Sequence, residues 1–187
     1  SSEIVPGPKE FYAAVGPSWG WAQNAPFRRY KSWAHEGGIA TPCIAWWPGQ
    51  VPAGKITQEV GHIIDFMPTF LELGGGQYPI NYKGEEILPV EGKSLVSVLK
   101  GRKRKPHDQI AWEWSGNRAL REGKWKLVWD KLDRKWSLFD LEADRTETTD
   151  LATTNAKRVL RMTTSWFAWA EKCEFKLSKL AGKPDLN

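Results

Sequence analysis

Lys31 is the residue of this chain best suited by type and setting to act on an anion. It lies between Tyr30 and Trp33, and Glu36-Gly37-Gly38 follows. An ammonium beside aromatic surface is partly stripped of water, so its field on a nearby oxyanion is stronger than in bulk solvent. The same pattern also suits a surface lysine whose stem lies along rings while its head stays wet. His35 either hydrogen-bonds a ligand group near Lys31 or packs as a polar neighbour of Glu36. Asn117 and Arg118 follow Gly116 at the start of an expected strand. There they either reach a pocket mouth as substrate contacts or, for Arg118, serve an ion pair. Trp19, Trp21 and Trp114 suit either a core or a rim on which a sugar or aglycone rests. With 12 Trp in 187 residues, composition does not separate the two.

Other combinations carry less chemistry. Gly92-Lys93-Ser94 ends like a phosphate-binding loop, but Ile87 stands where the first glycine is required. Asp144-Arg145-Thr146-Glu147 reads as a turn held by side-chain-to-backbone hydrogen bonds. His35, His62 and His107 lack metal-ligand spacing. Cys43, in an apolar run, reads as a small buried hydrophobe, and nothing requires a bond to Cys173. A net charge of +5 is modest, and Arg102-Lys103-Arg104-Lys105 reads as a solvated loop, so no nucleic-acid partner is expected. No apolar run is long enough to span a bilayer, so no membrane partner is expected either.

These residues need elements to hold them. With 41% hydrophobic residues, the chain can bury a core. Residues 1–24 read as irregular, with one short turn of helix. Ile39–Trp47 is apolar on both sides and reads as a buried strand of a parallel sheet. Val60–Ile64 alternates as a short strand would. Asp65 then suits a helix N-cap, with Pro68 in the first turn and Gly74 as a left-handed stop. A looser segment from Gly74 to Gly92 marks a boundary, and a short helix over Ser94–Lys100 stops at Gly101. Strands are expected over Ile110–Trp114, Arg118–Arg121, Lys124–Trp129 and Trp136–Leu141, joined by turns short enough to require antiparallel pairing. Asn155 caps a long helix whose Val159, Met162, Trp166, Trp169, Ala170 and Cys173 recur at helical spacing and cover one sheet face. The last residues, Gly182–Asn187, read as frayed.

The run from Lys31 to Gly38 resembles the sulfatase signature Lys-x-x-x-x-Glu-Gly-Gly. The likeness continues through Thr41-Pro42, Trp47-Pro48-Gly49 and Ile64-Asp65-Phe66-Met67-Pro68-Thr69-Phe70-Leu71-Glu72-Leu73-Gly74. It extends to Gly92-Lys93-Ser94-Leu95, the stretch Asn117–Leu127, and Leu138–Glu147, covering roughly residues 16–174. The resemblance implies an alkaline-phosphatase-like α/β fold. Residues 1–75 would be the C-terminal piece of its large domain, and 76–187 a small α+β subdomain of a four-stranded antiparallel sheet packed on a C-terminal helix. It implies hydrolysis of sulfate monoesters by a formylglycine nucleophile with calcium, Lys31 contacting a sulfate oxygen, and His35, Asn117 and Arg118 as substrate contacts. Glu36, Gly37 and Gly38 would be structural. Two family features have no match. Cys43-Ile44-Ala45-Trp46-Trp47 lacks the arginine of the formylglycine motif, and no Asp-Asn or Asp-His dyad suits the calcium site. The chain, opening on Ser1-Ser2-Glu3, is therefore expected to be the C-terminal portion of a periplasmic or secreted sulfatase. Its partner would be the N-terminal sulfatase portion, and by itself it would be inactive and hold no metal. The alternative is an inactive module that binds a sulfated ligand or a partner chain.

Overall fold

The structure, a computed structural model, describes residues 15–175. The readings for residues 1–14 and for Gly182–Asn187 lie outside that range. The chain divides into two compact units: Pro42–Asp108 forms one, and the chain up to Thr41 with that from Gln109 onward forms the other. The boundary expected near residue 75 falls inside the first of these.

In the discontinuous unit, helix α1 spans Gly16–Asn24 and a single turn, α2, spans Glu36–Ile39. The other unit contains α3 (Phe66–Leu73), the small hairpin β1 (Asn81–Tyr82) and β2 (Glu85–Glu86), and α4 (Val96–Leu99). The discontinuous unit resumes with β3 (Ile110–Trp114), β4 (Asn117–Glu122), β5 (Trp125–Asp130), β6 (Lys135–Asp140) and α5 (Ala156–Lys172). Strands β3 to β6 form an antiparallel meander in chain order, with Leu120 opposite Leu127 and Leu127 opposite Leu138. This is the expected sheet, shifted by one residue at most of its ends. Ser115-Gly116 turns β3 into β4 with both residues at positive φ, the twist-matched geometry for a two-residue hairpin.

The sheet is covered on both faces. Leu120, Leu127 and Leu138 pack beneath Met162, Trp166 and Ala170 of α5, as the helical spacing predicted, with Phe167 beside them, whereas Cys173, expected in the same stripe, is exposed. Their strand neighbours Ala119, Val128 and Phe139 point the other way and pack with Leu141 and Ala34. That second layer, laid down by the segment carrying Lys31, was not foreseen. It buries Lys126 at 0% exposure in the middle of β5.

Several local readings are corrected. Ile39–Trp47 is not a strand: the chain leaves α2 and runs irregularly, with Ile44 92% and Trp46 86% exposed. A run apolar on both sides needs a layer on each, and among the described residues no strand pairs with it. Cys43 is exposed rather than buried, and both cysteines are free. Val60–Ile64 is not a strand; Ile63–Asp65 forms a 3₁₀ turn instead. Asp65 does precede α3, but its carboxylate does not cap that helix and is used elsewhere. Gly74 stays right-handed at φ −84°, and Gly75, at φ +66°, takes the left-handed position. Arg104 is not solvated, because its guanidinium is drawn onto the buried Asp65.

Candidate functional site

Lys31 occupies a tight turn. Trp33 N–H donates to Tyr30 O at 3.1 Å, and the flanking residues Arg29 and Ser32 both take left-handed backbone conformations, φ +65° and +80°. Such geometry costs a non-glycine residue about 1–2 kcal/mol, so its surroundings must impose it. The Lys31 side chain is exposed, and no hydrogen bond or ion pair ties its ammonium among the described residues.

The turn is held from both sides. Upstream, Arg29 pairs with Asp130 Oδ2 at 2.7 Å and stacks 4.2 Å from the Trp33 ring. Arg28 Nη1 donates to Glu147 O at 3.1 Å. Downstream, Glu36 N–H donates to Glu147 Oε2 at 2.7 Å, and Gly37 N–H to Arg28 O at 3.0 Å. The glycines allow this: a Cβ on Gly37 would lie 2.2 Å from Arg29 O, and one on Gly38 2.0 Å from Trp33 O. They serve close backbone approach, within a helical turn.

Beneath lies a buried ionic cluster. Lys126 Nζ reaches Glu36 Oε1 at 2.8 Å and Glu147 Oε1 at 2.9 Å. Burial acts to raise the Glu36 carboxyl, but the Lys126 charge and hydrogen bond outweigh it, helped by Arg121 and Arg145, and hold it below its ordinary value. Burial prevails at Glu147 and pushes that carboxyl up despite Lys126. The sequence marked Glu36 as structural but missed Lys126 and Glu147.

The expected ligand contacts now have places. His35 is 2% exposed, tilted against Phe139, with Nδ1 lacking a hydrogen-bond partner among the described residues. Burial, then the charges of Lys126 and Arg28, lower its pKa to about 3, so the ring is neutral. Asn117 is buried beneath the turn: its Nδ2 donates to Ser32 O at 2.8 Å, and its Oδ1 accepts from Lys131 N–H at 3.2 Å. The Arg118 guanidinium lies between Trp129 and Trp166, 5.2 and 5.1 Å from their rings, and faces the α5 side of the sheet. Burial pulls it below the usual arginine range. Asn117 thus joins the Lys31 turn directly, whereas Arg118 belongs to the opposite face. Trp19 and Trp114 are exposed, and Trp21 lines an open hollow of about 460 Å³ with Phe27, Arg28, Arg29 and Thr148.

A family profile described as N-sulphoglucosamine sulphohydrolase, C-terminal, matches residues 27–165. The chain belongs to the sulfatase family. An uncharacterised sulfatase of Schizosaccharomyces pombe is 32% identical over 143 residues, 73% of this chain and 26% of that protein. A sulfatase of Formosa agariphila is 29% identical over 184 residues, covering 87% and 32%. Human N-acetylgalactosamine-6-sulfatase is 44% identical over 110 residues, covering 50% and 20%. In solved structures the fold recurs in a Bacteroides thetaiotaomicron protein from a locus for metabolism of multiple glycosaminoglycans. That match has TM-score 0.64 at 21% identity, over 78% of this chain and 32% of that one. It recurs in Ps i-CgsB with TM-score 0.60 at 23% identity, over the same shares. The chain is thus a C-terminal sulfatase portion, of alkaline-phosphatase-like α/β class, and spans about a third of these relatives or less.

Calcium, which the family resemblance implies, finds no donor set among the described residues: no group of three or more His, Cys, Asp or Glu side chains converges there. Among the same residues no helix is long and apolar enough to cross a membrane.

Proposed function

We propose that this chain is the C-terminal portion of a sulfuric ester hydrolase, and that Lys31 contributes the cation that contacts the sulfate of a sulfate monoester. The observation that carries this reading is the contrast at the turn. Every flank of Lys31 is bound down, yet its own ammonium has no partner among the described residues. A lysine whose backbone is held and whose ammonium is left unsatisfied suits an anionic group brought to it. In that position its charge stabilises negative charge that grows as the S–O ester bond breaks. Arginine and the aromatic wall of the neighbouring hollow, with Trp21 and Arg28, suit the remainder of a sulfated saccharide. The nucleophile and metal ligands belong, on this reading, to the length of the relatives that this chain does not span, and the 187 residues alone are inactive.

A second reading, a binding module without catalysis, is favoured by the exposed Ile44, Trp46 and Trp47, which suit a partner chain. One experiment separates them. The chain is expressed together with whatever coding sequence lies upstream of it, and turnover of an aryl sulfate is compared with that of an aryl phosphate. The expected result is sulfate turnover that Lys31→Ala lowers about a hundredfold or more, the scale for loss of one charged donor. Absence of turnover with retained binding of a sulfated disaccharide would favour the module. Preference for phosphate would place the protein with phosphatases of the same fold.

A further inference from the structure

We propose that Asn117 and Glu147 are positioning residues for Lys31, so that the C-terminal sheet sets where the ammonium points. This deepens the sulfate-contact reading above and rests on it. The turn from Arg28 to Glu36 carries two strained non-glycine residues, and strain of that kind persists only where neighbours over-determine it. Those neighbours are Asn117 and Glu147. Asn117, at the first position of β4, donates from Nδ2 to the carbonyl oxygen of Ser32, and Ser32 is itself one of the strained residues. The same amide accepts from Lys131 N–H beyond the end of β5, so its orientation is fixed by the β-meander. Glu147 grips the other flanks: its carbonyl accepts from Arg28 and its carboxylate from Glu36 N–H. Glu147 also has positive φ, +57°, and is 0% exposed. Neither residue touches a ligand; each acts through the backbone that carries Lys31. The two anchors stand 30 residues apart on the sheet unit and more than 80 residues from the turn they hold, which makes the aim of Lys31 a tertiary property.

The test uses Asn117→Asp, which keeps the acceptor for Lys131 N–H and the side-chain volume but removes the donor to Ser32 O. On the 187-residue chain, backbone order parameters at residues 29–33 are expected to fall from about 0.85 to below 0.6, while those of β4 and β5 hold. A turn that stays rigid in Asn117→Asp would overturn the proposal. Glu147→Gln, which still offers an oxygen to Glu36 N–H, is expected to keep the turn ordered where Glu147→Ala loosens it. Equal loosening in both would overturn the hydrogen-bonded grip. In the longer sulfatase, Asn117→Asp is expected to lower kcat about 10- to 100-fold with KM within about twofold. In a Lys31→Ala background it should lower kcat no further, because both changes remove one interaction. An undiminished effect in that background would sink the positioning role. If Lys31→Ala alone leaves kcat intact, the sulfate-contact reading fails, while the order parameters still decide what holds the turn.

Discussion

The two compact units each contain a buried carboxylate cluster that ties distant stretches of chain together, and the two solve the charge problem in opposite ways. In the continuous unit a single carboxylate, Asp65, collects four donors: His62 N–H at 2.9 Å, Lys93 N–H at 2.8 Å, Arg104 at 2.8 Å, and the His107 ring nitrogen 2.7 Å away. Burial acts to raise its carboxyl, but the Arg104 bond, the Lys93 and His62 amides and His107 outweigh it and bring the pKa to about 2. In the discontinuous unit a single buried cation, Lys126, is shared by two carboxylates, and only one of them is held in its charged form with ease. Each cluster sits beside a glycine with no room for a Cβ: Gly38 against Trp33 O, and Gly92 against Ile64 O, both at 2.0 Å. The lesson is that donor surplus and acceptor surplus both fix a backbone crossing, but they leave the two units with different weak points.

The largest expected difference comes from removing the central charge. Lys126→Met keeps volume but leaves Glu36 and Glu147 buried without their cation. Breaking such a pair costs about 3–5 kcal/mol. Asp65→Asn retains shape but can accept from only two of the four donors; Arg104 keeps the Lys93 and Val60 carbonyls, so the change should cost less, about 1.5–3 kcal/mol for the lost charge-assisted bonds. Amide exchange read by mass spectrometry resolves the units separately. The prediction is that each variant lowers protection in its own unit and not in the other. Equal losses from the two substitutions would erase the distinction between shared cation and shared anion.

Acid gives the next contrast. His35 has its folded pKa lowered from 6.5 to about 3. Below pH 6.5 the unfolded chain takes up a proton that the folded chain refuses, so stability falls as pH drops through that window, by about 1.4 kcal/mol per pH unit for this one group. Glu147 runs the other way: its raised carboxyl favours the folded state as the medium becomes acid, which offsets part of the loss near its own titration. Asp65, with its depressed carboxyl, contributes stability that is intact above about pH 4 and is lost only as pH falls towards 2. His62, lowered by burial against the pull of Asp65, adds a slope of the His35 sign to the continuous unit. The sharp comparison is therefore His35→Phe, which keeps the ring packing on Phe139. It should flatten the decline of the discontinuous unit between pH 6.5 and 4 and leave the other unit's profile unchanged. A profile that His35→Phe does not alter would remove the buried imidazole as the source.

What was legible in the sequence was whatever depends on neighbours in the chain. Helix α3 followed from Asp65 and Pro68 at its start, the four strands of the meander from the short turns that join them, and α5 from its stripe around Trp166. Gly37 and Gly38 were read as backbone requirements, and they are. What was not legible depends on partners far away. Lys126 meets Glu36 across 90 residues, and Glu36 meets Glu147 across 111. One signal did exist. Lys126 lies between Trp125 and Leu127 and shares its strand face with Val128, and a lysine buried there must find a carboxylate or stay protonated at great cost. The reading of Ile39–Trp47 as a strand rested on apolarity alone, which reports that a segment wants cover without saying where the cover comes from. Arg104 looked solvated because its neighbours are charged, yet Asp65, 39 residues earlier, outbid water for it.

The smallest expected effects concern the glycines at the two crossings, and they test whether close backbone approach matters equally in both clusters. Gly38→Ala places a methyl 2.0 Å from Trp33 O, and Tyr30 O lies 2.7 Å away. Both obstacles are main chain within the strained turn, so relief requires moving the turn itself, at about 1–3 kcal/mol. Gly92→Ala meets Ile64 O at 2.0 Å and Asp65 N at 3.0 Å, so it presses on the very residue that gathers the donors. Gly61→Ala is the control in the same unit, because its new methyl would meet only the Leu95 side chain at 3.7 Å, an ordinary contact. The expected order in urea midpoints is Gly38→Ala and Gly92→Ala well below the parent, with Gly61→Ala within about 0.5 kcal/mol of it. The two costly substitutions should also differ in kind. Gly38→Ala is expected to shift the backbone resonances of Tyr30–Trp33, because the methyl pushes on the carbonyls that frame Lys31, whereas Gly92→Ala is expected to perturb the amides of His62 and Lys93. If Gly38→Ala lowered stability while leaving the Lys31 turn unmoved, the glycine would be serving the sheet layer alone and not the aim of the lysine.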